Sequence, residues 1–204
     1  MSTGPAAGVR GAGTQVPIDE LIASIAVSIP DFPEPGVLFR DLTPVFGDAE
    51  AFRRVVDALA EPAGVDPRAA ALGSADGTSD PGFDVVAGVE ARGFLLAAAV
   101  AVRTGTGVVP IRKAGKLPRE RVSADYALEY GTATLELHTD SIRPGQRVLL
   151  VDDVLATGGT LGAAVGLLEQ LGGVVTAVSV VIELSALGGR QRIAPHPVHT
   201  LWTT

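Results

Sequence analysis

One run, Val148-Leu149-Leu150-Val151-Asp152-Asp153-Val154-Leu155-Ala156-Thr157-Gly158-Gly159-Thr160, most narrows what this chain can fold into. Its first four residues are apolar without alternation, as in a strand buried on both faces of a parallel sheet. Asp152 and Asp153 close that strand at the carboxyl edge, where open α/β sheets bind ligands. Small residues from Ala156 to Thr160 lead into a helix marked by Leu161, Ala164, Val165, Leu168 and Leu171, which Gly172-Gly173 ends. Thr157 or Thr160 is expected to cap the helix, and Gly158-Gly159 leaves bare backbone for a ligand to approach. Free N–H groups at the positive end of a helix dipole suit a dianionic phosphate. A helix cap or a solvated strand end would explain either half alone. Together they set a phosphate cradle beside a pair of hydrogen-bond acceptors, as a sugar phosphate requires. No Gly-Lys-Ser/Thr follows the glycines, so the P-loop does not match.

The rest of the chain alternates strands with helices, which implies a parallel sheet with right-handed crossovers. Residues 1–16 read as a mobile N-terminal extension. Ile18, Leu21, Ile22, Ile25, Ala26 and Ile29 follow helical spacing, and the proline-rich run Pro30 to Gly36 ends that helix. Val37 to Asp41 is extended, and Asp48 caps a helix that turns Phe52, Val55, Val56 and Leu59 inward. Residues 69–83, full of Gly, Ser, Asp and Pro, read as an exposed insertion in a single domain spanning 17–204. Asp84 to Val89 is a buried strand, followed by a helix from about Phe94 to Arg103. Gly107 to Arg112 is another strand, 113–125 a polar stretch, and Tyr126 to His138 two extended runs split at Gly131. Val174 to Ile182 is the last strand, with a tail of Pro, His and Thr behind it.

Composition excludes several classes. At 204 residues the chain suits one α/β domain with a proper core. A formal charge of −7 argues against nucleic acid as a partner, so an anionic substrate needs local positive charge. Without cysteine there is no disulfide, thiolate nucleophile or Cys-ligated metal. The longest apolar run, Phe94 to Val102, is too short to span a bilayer, and no signal peptide is evident, so no membrane partner and a cytoplasmic location are expected.

Three more segments carry chemistry. In Glu90-Ala91-Arg92-Gly93 the arginine can fork onto a phosphate while Gly93 permits close approach, although a rim ion pair explains the tetrapeptide equally well. Arg112, Lys113, Lys116, Arg119 and Arg121 concentrate positive charge in an acidic chain, and the only two lysines lie among them. A solvated charge run is the common explanation, yet a cluster behind a strand end suits an anionic leaving group. Glu129, in Tyr126 to Gly131, follows a loop able to close over a ligand.

The central run resembles the phosphoribosyl pyrophosphate (PRPP) motif of the type I phosphoribosyltransferases. Phe32-Pro33-Glu34-Pro35-Gly36-Val37-Leu38-Phe39-Arg40-Asp41, Glu90 to Phe94, Arg112 to Pro118 and Leu128-Glu129-Tyr130-Gly131 are similar to segments of the adenine phosphoribosyltransferase family. The resemblance covers roughly residues 18–195; the extension and the insertion depart from the usual pattern.

It implies a type I phosphoribosyltransferase fold: a central, mostly parallel sheet flanked by helices, with a small hood and a flexible catalytic loop. The implied reaction converts adenine and PRPP to AMP and pyrophosphate, a purine salvage step. Asp152 and Asp153 would hold the ribose hydroxyls, and Ala156, Thr157, Gly158, Gly159 and Thr160 the 5′-phosphate. Arg92, Lys113 and Lys116 would hold pyrophosphate with Mg²⁺, itself ligated mainly by PRPP and water. Phe39 and Leu184 would sandwich adenine, with the Leu38 carbonyl and the Arg40 N–H reading its edge. Glu129 would assist proton movement, and a homodimer is expected. The alternatives are a phosphoribosyltransferase for another base and, less in keeping with the acidic charge, a PRPP-sensing regulator.

Overall fold

The computed structural model describes residues 15–32, 34–61, 81–127 and 131–204. A sheet of seven strands runs in the order β5-β6-β4-β3-β7-β8-β9. Its parallel body consists of β4 (Gly107–Lys113), β3 (Val85–Val89), β7 (Arg147–Leu155), β8 (Val174–Glu183) and β9 (Val198–Thr203). β5 (Arg121–Ala127) and β6 (Thr132–His138) extend one side antiparallel, so the sheet is mostly parallel, as expected.

The unbroken apolar runs in β3 and β7 follow from burial on both faces. Val86, Leu149 and Val151 turn into one core with α1 (Ile18–Ile25), α3 (Ala49–Ala60) and α4 (Arg92–Thr104). Val85, Ala87, Val148 and Leu150 turn into the other, against α5 (Gly159–Gln170). Val148 through Val151 are fully buried, and each contributes roughly 1.5–3 kcal/mol of hydrophobic stabilisation. α3 starts as read, with the Asp48 carboxylate accepting from the Ala51 N–H at 2.8 Å.

A separate two-stranded ribbon, β1 (Val27–Pro30) against β2 (Leu38–Asp41), is the small hood. Its connection is tied by the Asp31 carboxylate, which accepts from the Gly36 N–H at 2.7 Å. The short helix α2 (Thr43–Gly47) returns the chain to the body.

Several boundaries differ from the sequence reading. α1 stops at Ile25, because the β-branched residues Val27 and Ile29 pair with β2 instead of continuing the helix. β5 begins at Arg121, inside what reads as a polar stretch, since one face of it is open and only the other packs. β7 passes through both aspartates to Leu155. The tail forms a 3-10 turn (Ser185–Leu187), the short helix α6 (Gly189–Arg192) and the edge strand β9. Phe83, placed in the insertion by composition, is 1% exposed and fills the core under α3 and α4. Residues 1–14 and 62–80, which hold most of the extension and the insertion, lie outside the described residues.

Candidate active site

Parallel pairing of β3, β4, β7 and β8 brings their carboxyl ends to one edge. Arg92 after β3, Lys113 at the end of β4, the Asp152–Asp153 pair and the loop after β7, and Leu184 after β8 therefore gather there. The hood supplies the opposite wall. A cleft of about 280 Å³ is lined by Leu38, Phe39 and Arg40 from β2, by Leu184, and by Arg92, Asp153 and Ala156. All four expected base-binding residues thus share one apolar cleft with residues expected to hold PRPP. Val37, Val154, Ile182 and Leu187 complete its lining and escaped the sequence reading. Leu187 belongs to the 3-10 turn, whose short span carries no periodicity to read.

A smaller cup of about 60 Å³ adjoins the cleft and is lined by Val154 through Leu161, so the two share Val154 and Ala156. Neither threonine caps α5. The N-cap is Gly158, at φ 78°, and no side chain accepts from the first turn. Among the described residues the first-turn N–H groups thus have no side-chain acceptor, an arrangement chemically suited to an anion.

The aspartates are not a solvated strand end. Asp152 and Asp153 are 8% and 9% exposed. Burial pushes the Asp152 carboxyl well above its ordinary pKa, and the charge of Asp153 raises it further. Its Oδ1 accepts from the Asp153 N–H at 2.9 Å. Gly93 is the condition for this packing: a Cβ there would stand 2.8 Å from Asp152 Oδ1 and 3.1 Å from the Val151 carbonyl. Arg92, one residue earlier, donates from Nη1 to Asp153 Oδ2 at 2.7 Å and holds its guanidinium 5.4 Å from the Phe39 ring centroid.

The basic cluster divides. Arg112 pairs with Glu90 at 3.0 Å, Arg121 with the buried Glu136 at 2.9 Å, and Arg119 with Asp140. Hydrogen bonds from Arg112 and from the Lys113 N–H hold the Glu90 carboxyl below its ordinary range. Lys113 and Lys116 are exposed and, among the described residues, make no ion pair. Glu129 lies outside the described residues.

A family model described as a phosphoribosyl transferase domain matches residues 57–194. The adenine phosphoribosyltransferase of Arthrobacter sp. strain FB24 is 56% identical over 186 residues, covering 91% of this chain and 92% of its own. The chain belongs to the adenine phosphoribosyltransferase family. Solved structures of this family share its fold. The adenine phosphoribosyltransferase of Thermoanaerobacter pseudethanolicus superposes with a TM-score of 0.78 at 43% identity, covering 91% of this chain and 99% of that one. The Saccharomyces cerevisiae adenine phosphoribosyltransferase, solved with adenine and an imino-altritol bisphosphate, gives 0.76 at 35% identity, covering 90% of this chain and 98% of that one.

Proposed function

We propose that this member of the adenine phosphoribosyltransferase family transfers the phosphoribosyl group of PRPP to adenine in the cleft between hood and sheet. The observation that carries the reading is the junction of an apolar base-sized cleft with an anion cup through Val154 and Ala156. A nucleoside monophosphate has that layout: a flat apolar base, a sugar at the junction and a phosphate beyond it.

Adenine lies between Phe39 and Leu184. β2 pairs only with β1 among the described strands, so one of its edges is open. Leu38 and Arg40, two residues apart, turn their backbone polar groups to the same side, which suits reading the edge of a base. The Arg40 side chain is engaged elsewhere: it donates to Ser28 Oγ, and its guanidinium carbon lies 5.3 Å from the centroid of the Trp202 ring. Asp152 and Asp153 hold the ribose hydroxyls, and Ala156 to Thr160 the 5′-phosphate. Arg92, Lys113 and Lys116 hold pyrophosphate.

The bond from an adenine ring nitrogen to the anomeric carbon forms as the bond to the pyrophosphate oxygen breaks, and its electron pair leaves with pyrophosphate. The ring N–H proton passes to a base, for which Glu129 is the candidate. Positive charge develops on the ribose between these events, and fixed carboxylates and phosphate-binding groups stabilise it without reorganising. Among the described residues no three His, Asp or Glu side chains gather as a metal site. By family resemblance, Mg²⁺ would be held mainly by PRPP oxygens and water. When bound, the ion neutralises charge on the departing pyrophosphate. A homodimer, by family resemblance, and a cytoplasmic setting complete the proposal.

The test offers PRPP and Mg²⁺ with adenine, hypoxanthine or guanine in parallel. AMP and pyrophosphate form with adenine alone. Nucleotide formation from a 6-oxopurine at a comparable rate would replace the assignment with a phosphoribosyltransferase for another base.

A further inference from the structure

The loop expected to hold the 5′-phosphate does not stand free; a turn from the carboxyl-terminal segment is pressed against its back. A Cβ on Gly189 would lie 2.2 Å from the Ala156 carbonyl oxygen and 3.0 Å from the Gly158 nitrogen. A Cβ on Gly158 would meet the Gly189 carbonyl oxygen at 2.6 Å. The two segments thus touch backbone to backbone, at separations that exclude any side chain on either glycine. Ala156 and Gly158 both line the anion cup, so the turn supports the wall of the site itself.

What keeps the turn in place is an ion pair next to it. Arg190 Nε donates to Glu183 Oε1 at 3.0 Å, and its Nη2 bonds the second carboxylate oxygen, a two-pronged contact that only a guanidinium can make. Nη1 donates to the Val198 carbonyl at 2.8 Å, and the Thr200 hydroxyl donates to Glu183 Oε2 at 3.0 Å. Glu183 is 7% exposed at the end of β8, and its hydrogen bonds with Arg190 hold its carboxyl below the ordinary range. Helix α6 is too short to hold this position by its own hydrogen bonds. The clamp therefore fixes the turn to the β8–β9 edge, and Gly189 transmits that position to the loop.

We infer that Gly189 and the Arg190–Glu183 pair are positioning elements of the 5′-phosphate loop, setting how its N–H groups meet the phosphate without touching substrate. The inference rests on the assignment of that loop to the 5′-phosphate of PRPP. Its test compares two probes, ribose 5-phosphate, which needs the loop, and inorganic pyrophosphate with Mg²⁺, which does not. Both are titrated calorimetrically into the wild-type protein, Gly189→Ala and Arg190→Lys, with thermal unfolding recorded alongside.

Gly189→Ala weakens ribose 5-phosphate by about tenfold or more, the loss of at least one charge-assisted hydrogen bond, and leaves pyrophosphate affinity within about twofold. Arg190→Lys keeps the charge but loses the fork, and gives a smaller loss with the same selectivity. It also carries the test should Gly189→Ala fail to fold. Unchanged ribose 5-phosphate affinity in a folded variant would overturn the inference alone. So would parallel losses for both probes, which mark a merely structural role. A wild-type protein that binds neither probe would remove the underlying functional assignment as well.

Discussion

Arg92 Nη1 sits 2.7 Å from Asp153 Oδ2, while the same guanidinium covers the Phe39 ring at 5.4 Å. One side chain thus joins the residue expected to hold ribose to the residue expected to stack on adenine. The sequence leaves Arg92 undecided between phosphate binding and an ion pair. In the structure it makes the ion pair, and under the proposed assignment PRPP would compete with Phe39 and Asp153 for it.

Asp153→Asn is expected to weaken PRPP binding about tenfold or more. The amide loses charge-assisted hydrogen bonds worth roughly 1.5–3 kcal/mol each, and Arg92 loses its ionic partner. Adenine affinity changes far less, because stacking on Phe39 does not involve the carboxylate. Calorimetric titration of each substrate separately measures both; equal losses for the two would contradict the ribose assignment.

Asp152 makes the free protein sensitive to pH. Its folded pKa is raised above the ordinary 3.8, first by burial and then by the charge of Asp153, so the folded state holds the proton more tightly than the unfolded chain. Stability from this group is present below pH 3.8 and is lost as pH rises through the folded value. Asp152→Asn should match the wild type in acid and unfold a few degrees higher at neutral pH, since its amide oxygen still accepts from the Asp153 N–H. Thermal melts of both proteins across that range check the sign. A variant less stable than wild type at neutral pH would refute it.

Base choice is expected to survive Arg40→Ala. That side chain bonds Ser28 within the hood and rests over Trp202 of the body, so its removal loosens the cleft for adenine and hypoxanthine alike. A backbone carbonyl facing the purine 6-position accepts from an amino group and opposes an oxo group, and such unpaired contacts discriminate by about 10⁴ or more. Phe39→Ala likewise weakens adenine binding while keeping the preference. Comparable kcat/KM for both bases in Arg40→Ala would make the side chain the reader.

Gly93→Ala tests the packing of α4 on β7. The added methyl meets Asp152 Oδ1 at 2.8 Å, so helix or carboxylate must shift by a few tenths of an ångström. Stability should fall by about 1–3 kcal/mol. A displaced Arg92 and Asp152 should lower kcat/KM by up to about a hundredfold, the loss that a misplacement of about 1 Å brings.

Local pattern determined a good deal. The strand from Val148, the glycine loop and the helix after it are legible because burial on two faces and tight turns leave marks within a few neighbouring residues. Leu38, Phe39, Arg40 and Leu184 are expected at the base from family resemblance alone; in the structure they line one cleft with Arg92 and Asp153. Tertiary structure decided what depends on partners remote in the chain. Val27 and Ile29 leave the helical pattern because β2 offers them a ladder. Three arginines of the basic cluster are neutralised by Glu90, Glu136 and Asp140, pairings that no spacing announces. The pKa of Asp152 is raised by its burial and by the charge of Asp153, neither of which the spacing of the strand reveals. The turn at Gly189 reads as tail in one dimension and packs against the loop after β7 in three. Periodicity records which face of an element is buried; which element buries it, and how much water it displaces, is settled only when the chain has closed on itself.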